Sequence, residues 1–516
     1  MIIATKSILI KGLETVDVDV EVTLTSRGIP RFDIVGLASK SVEESKLRIK
    51  SAFANANLNF PNKKIVVNLA PADLQKTGSC FDLPIAIGLY CATNSIEVPK
   101  DWIFYGELSL NGELRYTNGV FLLCLFAKER GYKKVFIPAS STNEVSRFNK
   151  SDMQVFGVNN LSELIGYLKS GDDQVFSQSI VDELLQRTIK PVERYTFSNI
   201  IGQENAKRAL EISAAGGHNL LFYGPPGSGK TYLAKSIAEI LPDLEESESI
   251  EVSKIYSSVG LLKNSNEYTK TRPFRNPHHT TSYVSMVGGG NPPVPGEITL
   301  AHRGILFLDE INEFPKRTLE ALRQPLEDKF INISRLNNSY RFPSSFTLLA
   351  SCNPCPCGYL GTNRCGCSPK VVKRYTEKLS GPILDRIDMH VHIDQVEIAR
   401  LADFRNFNDS NIDQIKKNVL SAREIQRSRY KGINQISTNS DLGFEEIKLF
   451  SNIKPEALQI LKKATSKIQI SNRSFFKIVK VSRTISDLAG EHQIGESSVL
   501  EALQYRILTL DPQYNY

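Results

Sequence analysis

The stretch GPPGSGKT, residues 224–231, decides the class of the fold. It satisfies the pattern G-x-x-x-x-G-K-[ST], in which glycines let backbone N–H groups curl round a phosphate. The apolar run LLFYG at 220–224 predicts a strand before it, and YLAKSIAEIL predicts a helix after it. A chance glycine-rich turn would lack these flanking elements, so the stretch predicts a phosphate-binding loop in an α/β fold.

The residue types in this loop predict how it would hold a nucleotide. We expect Lys230 to reach the β- and γ-phosphates and Thr231 to hold Mg²⁺. The backbone of the remaining loop residues is expected to surround the phosphates. The loop consists of Gly224, Pro225, Pro226, Gly227, Ser228, Gly229, Lys230 and Thr231.

A second predicted strand ends in two carboxylates. In ILFLDE, residues 305–310, four apolar residues lead to Asp309 and Glu310. Ligands of open α/β sheets bind at the carboxyl ends of the strands. We therefore expect Asp309 to bind Mg²⁺ and Glu310 to polarise an attacking water as a general base. The pattern is weak alone and strong after a phosphate-binding loop.

A third predicted strand, FTLLASCN at 346–353, ends at Asn353. Its side chain could orient the same water from the neighbouring strand. The alternative is an asparagine that only starts a turn before Pro354. Strands separated by helical segments predict a parallel sheet for this part of the chain.

Two longer blocks make the resemblance to a family specific. They are RPFRNPHHTTSYVSMVGGGNPPVPGEITLAHRGILFLDE (272–310) and SCNPCPCGYLG with SGPILDRID (351–388). With the phosphate loop, the Asp-Glu strand and Asn353, the chain resembles the Mg-chelatase-like AAA+ ATPases of the ComM/YifB type over essentially its whole length. The resemblance implies a homo-oligomeric ring, usually a hexamer, that binds ATP and Mg²⁺ between subunits.

The resemblance also implies roles for three polar residues. Asn353 matches sensor 1, Arg386 matches the arginine finger that reaches a neighbour's γ-phosphate, and Arg483 matches sensor 2. The alternatives are a surface salt bridge for Arg386 and a helix-packing arginine for Arg483. VGGGNPPVPGEI corresponds to the insert that lines the central pore, and its three glycines, 288–290, predict a mobile loop.

The pattern along the chain divides it into four parts. We expect an α/β fold with a degenerate Lon-protease-like N-terminal domain at 1–170 and a linker at 171–195. A P-loop AAA+ core with its pore insert follows at 196–395, and a C-terminal helical lid at 396–516. Within the first part, a helix near Ser41, a hairpin at Asn111–Gly112 and a helix ending at Gly131 are predicted.

The N-terminal part resembles the proteolytic domain of Lon, most clearly at GELSLNGELRYTNGV (106–120). Lon-type proteases use a serine nucleophile and a lysine base. The alignment places Cys80 at the serine position, with Ser79 adjacent, and Phe121 where the lysine should be. Without that base nothing activates a nucleophile, so we expect a proteolytically dead domain used for binding or assembly.

Four cysteines form a C-x-C-x₇-C-x-C pattern: Cys355, Cys357, Cys365 and Cys367. Four thiolates are enough for tetrahedral Zn²⁺, although C-x-C is tighter than the usual C-x₂₋₄-C spacing. Reduced thiols packed in a loop, redox sensing and a disulfide are the alternatives. Cys352 is expected to face the core. The adjacent His278 and His279 cannot easily point at one ion, so nucleotide-adjacent or structural roles are favoured.

Composition sets limits on location and partners. The chain is 41% hydrophobic and 23% charged, with no 18-residue apolar run and no signal-peptide pattern at its start, so a cytoplasmic protein without a membrane partner is expected. The net charge of +7 permits DNA but does not demand it. RPFR (272–275) and NRSFFKIVKVSR (472–483) are basic, but Phe475, Ile478 and Val479 are also spaced as a core stripe.

Two functions remain open at this stage. The first is an ATP-driven ring motor acting on single-stranded or branched DNA, as a helicase or branch-migration enzyme in the recombination of incoming DNA. The alternative is a chelatase-type remodeller of a protein or metallocofactor client, although the chain shows no acidic metal-binding extension. Lys230, Asp309 and Glu310 disfavour a structural ring that does not hydrolyse ATP.

Overall fold

The computed structural model contains two main β-sheets, one in the N-terminal third and one in the middle of the chain. The structure describes residues 2–145, 148, 152–176, 195–262, 270–335, 338–379, 381–395, 412–433, 436–468 and 471–506. Within these residues no helix is long and apolar enough to cross a membrane.

The N-terminal sheet has seven strands in the order β3-β4-β2-β1-β5-β8-β9. The long hairpin of β1 and β2 is antiparallel, and the remaining strands include parallel pairs. The predicted Asn111–Gly112 hairpin is confirmed, but its strands β6 and β7 have only two residues each, because the preceding run pairs with the main sheet. The strands are β1 (Ile2–Lys11), β2 (Glu14–Thr25), β3 (Arg31–Val35), β4 (Lys64–Ala70), β5 (Trp102–Phe104), β6 (Glu107–Leu108), β7 (Leu114–Arg115), β8 (Lys134–Pro138) and β9 (Gln154–Val158).

Within the described residues, five α-helices accompany this sheet. The helix predicted near Ser41 is two helices that meet at Glu44, and its expected apolar face is present, with Val42, Ile49 and Phe53 buried. The predicted helix end at Gly131 is confirmed, where glycine takes a left-handed φ of 77°. The helices are α1 (Lys40–Glu43), α2 (Ser45–Asn55), α3 (Asp82–Asn94), α4 (Val120–Arg130) and α5 (Leu161–Ser170).

The second sheet has five parallel strands in the order β11-β14-β17-β10-β18. All three strands predicted for it are present, and β17 lies between β10 and β14. Its strands are β10 (Leu220–Tyr223), β11 (Phe274–Arg275), β14 (Ile305–Leu308), β17 (Thr347–Cys352) and β18 (Met389–His392).

Two antiparallel hairpins stand outside this sheet. Gly288–Gly290 pairs with Pro293–Pro295, so the stretch expected to form a mobile loop contains a short antiparallel hairpin. The second hairpin lies close to the first, with Ile333 against Gly288. The strands are β12 (Gly288–Gly290), β13 (Pro293–Pro295), β15 (Phe330–Arg335) and β16 (Asn338–Pro343).

Helices cover both faces of the second sheet. Leu220 and Phe222 of β10 point into one apolar cluster and Leu221 and Tyr223 into another, as alternation along a strand requires. The helices of this part are α6 (Glu204–Gly216), α7 (Lys230–Ile240), α8 (Glu246–Ser258), α9 (Tyr283–Val287), α10 (Glu297–Leu300), α11 (Lys316–Glu320), α12 (Arg323–Asp328), α13 (Pro369–Thr376) and α14 (Gly381–Leu384).

The C-terminal part is helical and packs directly on the sheet. It shares one buried cluster with Leu220 and Phe222, so it has no separate core among the described residues. Much of the predicted linker (177–194) and the segment around the predicted boundary at 395 (396–411) lie outside the described residues. The helices are α15 (Ile412–Arg429), α16 (Phe444–Phe450), α17 (Pro455–Ile468), α18 (Asn472–Leu488) and α19 (Glu496–Gln504).

Helix α8 joins the second sheet's layer to the N-terminal part. Ser257, near its end, accepts a hydrogen bond from the N–H of Phe121 (3.3 Å) and donates one to a carboxylate oxygen of Glu144 (2.8 Å). The N–H of Gly119 donates to the carbonyl of Ser257 (3.0 Å). The two parts are therefore connected by a buried polar contact as well as by the chain.

Candidate nucleotide site

The phosphate loop sits at the carboxyl edge of the second sheet. Strand β10 leads into it and α7 begins at Lys230, so the amino end of the helix faces the loop. Gly229 caps this helix with a left-handed φ of 88°, a conformation that favours glycine. The hydroxyl of Ser228 donates to the carbonyl of Pro225 (2.9 Å) and closes the loop on itself. The site thus combines free backbone N–H groups with a helix N-terminus, which favours an anion.

Lys230 is held at the centre of this site. Its ammonium donates to the carbonyls of Gly224 (2.8 Å) and Pro225 (2.7 Å) and to the side-chain oxygen of Asn353 (3.1 Å). Burial lowers the pKa of Lys230, while the nearby Asp309 and Glu310 carboxylates raise it. The direct acceptors of this buried ammonium are neutral carbonyl and amide oxygens. A negatively charged phosphate would therefore form a stronger, charge-assisted hydrogen bond with it.

Asp309 and Thr231 are in direct contact. The Thr231 hydroxyl donates to Asp309 Oδ2 (2.8 Å), so the two expected Mg²⁺ ligands lie side by side. Ser351 donates a hydrogen bond to the other oxygen of Asp309 and accepts one from the N–H of Glu310 (3.0 Å). This serine fixes both carboxylate residues and was missed by the sequence analysis, although it lies on β17 only two positions before Asn353.

Glu310 follows Asp309 in an unusual backbone conformation. Its φ is +50°, a left-handed value that is costly for a residue with a side chain, and its side chain is exposed. The turn places the carboxylate beyond the strand end, before a short 3-10 helix at Ile311–Glu313. Such strain persists where the surroundings impose it, and here the Ser351 hydrogen bond does so.

A cavity of about 390 Å³ opens beside the phosphate loop. Ile200 and Ile201 give it apolar walls, and Tyr232 of α7 lies across it. Gln395 bridges to the loop by donating to the carbonyl of Pro226 (3.1 Å). Its size and mixed lining suit a flat heterocycle next to the phosphates. Nothing in the spacing of these residues linked them to residues 224–231, so sequence reasoning missed them.

Arg386 is placed at the opposite edge of the sheet. It precedes β18, and its carbonyl accepts a hydrogen bond from Asn219 (2.9 Å), just before the amino end of β10. One strand length, roughly 13 Å, separates this edge from the phosphate loop. The guanidinium pairs with Glu327 (2.7 Å), so within one chain it takes the salt-bridge alternative.

Arg483 lies inside the C-terminal helices and not at the phosphate loop. Its side chain is 1% exposed and pairs with Asp487 (3.0 Å), and it also donates to the carbonyls of Glu491 and His492. Burial lowers the pKa of Arg483 despite the Asp487 carboxylate. In this arrangement the arginine takes the packing alternative, because every guanidinium nitrogen is engaged within the chain.

The four cysteines come together in space. The sulfurs of Cys355, Cys357, Cys365 and Cys367 all lie within 4.8 Å of one another, and no other such group of three or more metal-ligating side chains occurs among the described residues. The N–H of Tyr359 lowers the pKa of the Cys357 thiol to about 6, and burial raises that of Cys355 to about 12. Cys352 is separate and buried, as expected.

The two histidines do not join this cluster. The rings of His278 and His279 lie 4.0 Å apart, and His278 bonds the hydroxyl of Thr280 (2.9 Å). His278 is exposed and His279 is half-buried. Their contacts to each other and to Thr280 are local, and both the nucleotide-adjacent and the structural role remain predictions.

Comparison with known proteins now adds to this geometry. The family described as magnesium chelatase, subunit ChlI, matches residues 196–401. The family described as subunit ChlI of Mg-chelatase matches residues 20–141, and the one described as magnesium chelatase, subunit ChlI C-terminal, matches residues 410–506. The chain is 40% identical over 500 residues to the competence protein ComM of Haemophilus influenzae, covering 96% of each. It is 37% identical over 499 residues to the uncharacterized protein YifB of Escherichia coli, covering 96% of this chain and 95% of YifB.

The chain belongs to the ComM/YifB-type Mg-chelatase-like family. That family lies within the AAA+ ATPases, which agrees with the phosphate loop, the Asp-Glu strand and the strand-terminal asparagine. The α/β fold with its Lon-like similarity and C-terminal helices is likewise confirmed: Lon protease 2 of Bacillus subtilis is 28% identical over 155 residues, which is 29% of this chain and 28% of that protease.

In this ComM/YifB-type protein, Cys80, which the sequence alignment above places at the nucleophile position of Lon, lies in surroundings that favour the protonated thiol. Burial and the neighbouring Asp82 raise the pKa of Cys80 to about 12, so the thiol is not ionised near neutral pH. Phe121, at the lysine position, is fully buried. The adjacent Ser79 donates a hydrogen bond to Glu107. The thiol of Cys80 is protonated and has acidic neighbours, and Phe121 cannot act as a base. The two residues therefore cannot work as a serine–lysine dyad.

The two basic stretches for which DNA binding was left open make ion pairs within the chain. Arg272 pairs with Glu248 (2.7 Å) and Arg275 with Glu297 (2.7 Å). Lys477 pairs with Asp388 (2.9 Å), and Ile478 and Val479 are buried, so 472–483 is the core stripe. Arg272, Arg275 and Lys477 are therefore engaged within the chain, and net charge alone gives no DNA surface.

Proposed function

We propose that this protein is an ATP-driven ring motor that acts on DNA, with helicase or branch-migration activity in the recombination of incoming DNA. The observation that carries the motor is the convergence of Lys230, Thr231, Asp309 and Asn353 on one edge of the sheet, with Glu310 beside them. These residue types are the ones that phosphoryl transfer needs: a cation, a metal-binding pair, a water-orienting amide and a base.

The chain's own residues would divide the work of hydrolysis. The loop backbone and Lys230 would bind and neutralise the β- and γ-phosphates, and Asn353 would hold Lys230 and the attacking water in register. Glu310 would accept the proton of that water. Bound Mg²⁺, held by Thr231 and Asp309, would supply charge neutralisation between the phosphates.

The placement of Arg386 supports a ring. Because it lies at the edge of the sheet away from its own phosphate loop, it could reach a γ-phosphate only on a neighbouring subunit. A head-to-tail arrangement of identical chains, closed into a hexamer, would bring that edge to the next subunit's loop. Its partner Glu327 is half-exposed, so that carboxylate would stay solvated if the arginine turned towards a neighbouring subunit.

The DNA part rests on the surface formed by the two hairpins, which we call the hairpin surface: Tyr283, Val284, Val294, Arg317 and Arg335. Val284 and Val294 are 54% and 47% exposed, and the Arg317 guanidinium lies over the Tyr283 ring at 4.6 Å. Arg335 reaches the first hairpin at Gly289. Among the described residues no carboxylate pairs with Arg317 or Arg335. Exposed arginines beside an aromatic ring suit phosphates and stacked bases.

The printed name of one relative points the same way. A competence protein serves the ability of a cell to take up DNA, and the chain aligns with it over nearly its full length. We extend this to single-stranded or branched DNA as the client and to the cytoplasm as the location. Zinc, if the four cysteines hold it, would be structural and not part of hydrolysis.

The test is the ATPase rate of the purified protein with and without single-stranded and branched DNA across a salt series. We expect stimulation that fades as salt rises, because phosphate contacts release counterions. Glu310→Gln should remove the stimulated rate and keep DNA binding. Arg317→Ala with Arg335→Ala should weaken DNA binding, whereas the exposed Lys128→Ala in α4 should not.

A second candidate is a Mg-chelatase-like remodeller of a protein or metallocofactor client. The observation that favours it is the family match itself, which carries the description of a magnesium chelatase subunit. ATP hydrolysis that ignores every DNA, together with no salt-dependent DNA binding, would contradict the DNA motor and favour this candidate.

A further inference from the structure

The cysteine knuckle, residues 355–367, places four thiol sulfurs at metal-binding separations. The sulfur of Cys355 lies 3.3 Å from that of Cys357 and 3.9 Å from that of Cys365, and Cys357 and Cys365 are 3.7 Å apart. Tetrahedral zinc with Zn–S bonds of about 2.3 Å requires sulfurs about 3.8 Å apart. The distances match one shared ion better than a disulfide, whose sulfurs must be about 2.05 Å apart.

The main chain folds the cysteine knuckle around its sulfurs. The N–H of Gly358 donates to the carbonyl of Cys355 (2.9 Å), and the N–H of Cys365 donates to that of Thr362 (3.0 Å), so a turn follows the first cysteine and another precedes the third. All four sulfurs lie within 4.8 Å of one another, with Cys355 buried and the other three half-buried. Ligands that the surrounding main chain holds in this way are already arranged for one shared cation.

We propose that Cys355, Cys357, Cys365 and Cys367 bind one zinc ion, and that the zinc-loaded knuckle braces the nucleotide site. Zinc binding converts the thiols to thiolates and releases their protons to solvent, with no change of oxidation state. Four thiolates with no open position describe a structural site, because a catalytic zinc keeps a place for water. The coupling half of this proposal rests on the proposed ATPase function.

The cysteine knuckle is joined to the nucleotide residues at both of its ends. At the first end, Asn353, which holds Lys230, lies two residues before Cys355, so the position of Cys355 restricts the position of Asn353. Helix α13 starts two residues after Cys367, and the carbonyl of Tyr375 in it accepts a hydrogen bond from Asn312 (3.4 Å). Asn312 belongs to the short helix that directly follows Glu310.

A third contact is direct packing. The backbone of Gly358 lies so close to the Pro226 ring that a Cβ at this position would stand 2.5 Å from Pro226 Cδ. Pro226 is part of the phosphate loop, so the cysteine knuckle forms a wall against which that loop rests. A knuckle without its ion is an irregular segment of glycine, proline and asparagine, with little apolar burial of its own to fix it.

Metal content tests the first half of the proposal. The full-length protein, purified without added metal, should contain one zinc per chain by elemental analysis. Cobalt exchanged into the site should give the sulfur-to-metal charge-transfer absorption of thiolate ligation. Cys365→Ser with Cys367→Ser should lose the ion, and Cys352→Ala should keep it, because Cys352 lies outside the cluster. A protein that hydrolyses ATP but contains no zinc, or an iron–sulfur spectrum, would overturn the zinc site.

A pair of glycine variants tests the coupling while the four cysteines stay intact. Gly358 and Gly361 both have left-handed backbone conformations, with φ of 81° and 85°, but only Gly358 faces Pro226 within 4 Å. Alanine therefore strains both positions alike and displaces the phosphate loop from only one. We expect Gly358→Ala to retain zinc and bind a fluorescent ATP analogue roughly tenfold to a hundredfold more weakly, since ångström-scale misplacement of a site has effects of this size. Gly361→Ala should bind it normally.

The outcomes separate this proposal from the proposed function. If wild-type protein holds zinc and binds the analogue but never hydrolyses ATP, the motor proposal fails and the braced site stands. If zinc removal by a chelator, or Gly358→Ala, leaves the affinity for the analogue unchanged, the coupling is overturned even in an active ATPase.

Discussion

The side-chain oxygen of Asn353 lies 3.1 Å from the ammonium of Lys230, so the residue that follows β17 is hydrogen-bonded to the first residue of α7 at the centre of the site. This contact places the asparagine at the phosphate loop and not merely in a turn before Pro354. It also explains how β17 can respond to the nucleotide: a γ-phosphate bound by Lys230 competes with Asn353 for the same ammonium protons. The strand end is then connected to the bound phosphate through one lysine.

Lys230 and Glu310 should separate binding from hydrolysis. Lys230→Met removes the buried cation that binds the phosphates, so we expect nucleotide affinity to fall by roughly a hundredfold, the effect of losing charge-assisted hydrogen bonds. Glu310→Gln keeps the shape and loses the base, so binding should remain while kcat falls about 10²–10⁴-fold. Equilibrium binding and single-turnover hydrolysis measure the two effects. Hydrolysis by Glu310→Gln at the wild-type rate would contradict the assignment.

Ser351 should act as a positioning residue for both carboxylates. Ser351→Ala removes the hydrogen bonds to Asp309 and from Glu310, so we expect a higher Mg²⁺ requirement and a kcat lower by roughly tenfold, as for other residues that orient metal ligands. Ser236→Ala is the matched control, because that buried serine bonds only a carbonyl of its own helix, Leu233 (2.8 Å). A Mg²⁺ titration of the ATPase rate distinguishes the two variants. Equal curves would show that Ser351 does not position Asp309.

The sequence predicted those residues of the site that belong to a recognisable local pattern. Residues 224–231, Asp309 and Asn353 were predictable because a strand, a glycine loop and a helix fix their own geometry locally, and carboxyl ends of parallel strands meet at one edge. The four cysteines were found because they lie close together in the sequence, between residues 355 and 367, so that one loop can bring their sulfurs together. Ser351 carried no such signal: a serine in an apolar strand is common, and its role appears only when β14 lies beside β17.

The sequence was less informative where a cation's partner is distant in the chain. For RPFR and 472–483 the sequence left DNA binding and packing within the chain open as alternatives. Arg272, Arg275 and Lys477 pair with Glu248, Glu297 and Asp388, which no local pattern connects to them. These ion pairs join residues that are distant in the chain, so local sequence could not decide between the alternatives.

Arg386 should act on the neighbouring subunit's nucleotide. Arg386→Ala should bind ATP normally and lose hydrolysis by about 10³-fold or more, the effect of losing an arginine finger. Mixing it with Lys230→Met should restore roughly a quarter of the wild-type rate, since random assembly pairs an intact loop with an intact arginine at one interface in four. Glu327→Gln, which removes only the ion-pair partner within the chain, should stay within about twofold of wild type. No recovery on mixing would contradict the shared site.

Arg483 should matter for stability and not for nucleotide affinity. Arg483→Met leaves the carbonyls of Glu491 and His492 without their charged donor, so we expect a loss of about 3 kcal/mol, seen as a lower thermal midpoint. Arg473→Met, exposed near the start of the same helix, should change the midpoint little. A weaker affinity for ATP in Arg483→Met at unchanged stability would instead support the sensor role.

The contact between α8 and the N-terminal part should be separable from catalysis. Ser257→Ala removes one donor to the buried Glu144 carboxylate and the acceptor of the Phe121 N–H, which should cost about 1–3 kcal/mol of docking free energy. Ser258→Ala is the control, since its hydroxyl bonds only Ile255 within the helix (2.7 Å).

Limited proteolysis of Ser257→Ala should release the N-terminal part sooner than from Ser258→Ala, while basal ATP hydrolysis stays the same, because the phosphate loop makes none of these hydrogen bonds. The Lon-like N-terminal part is then fixed to α8 through the backbone of Phe121, the residue that the sequence alignment places at the lysine position of the protease. Equal proteolysis of the two serine variants would show that Ser257 does not hold the parts together.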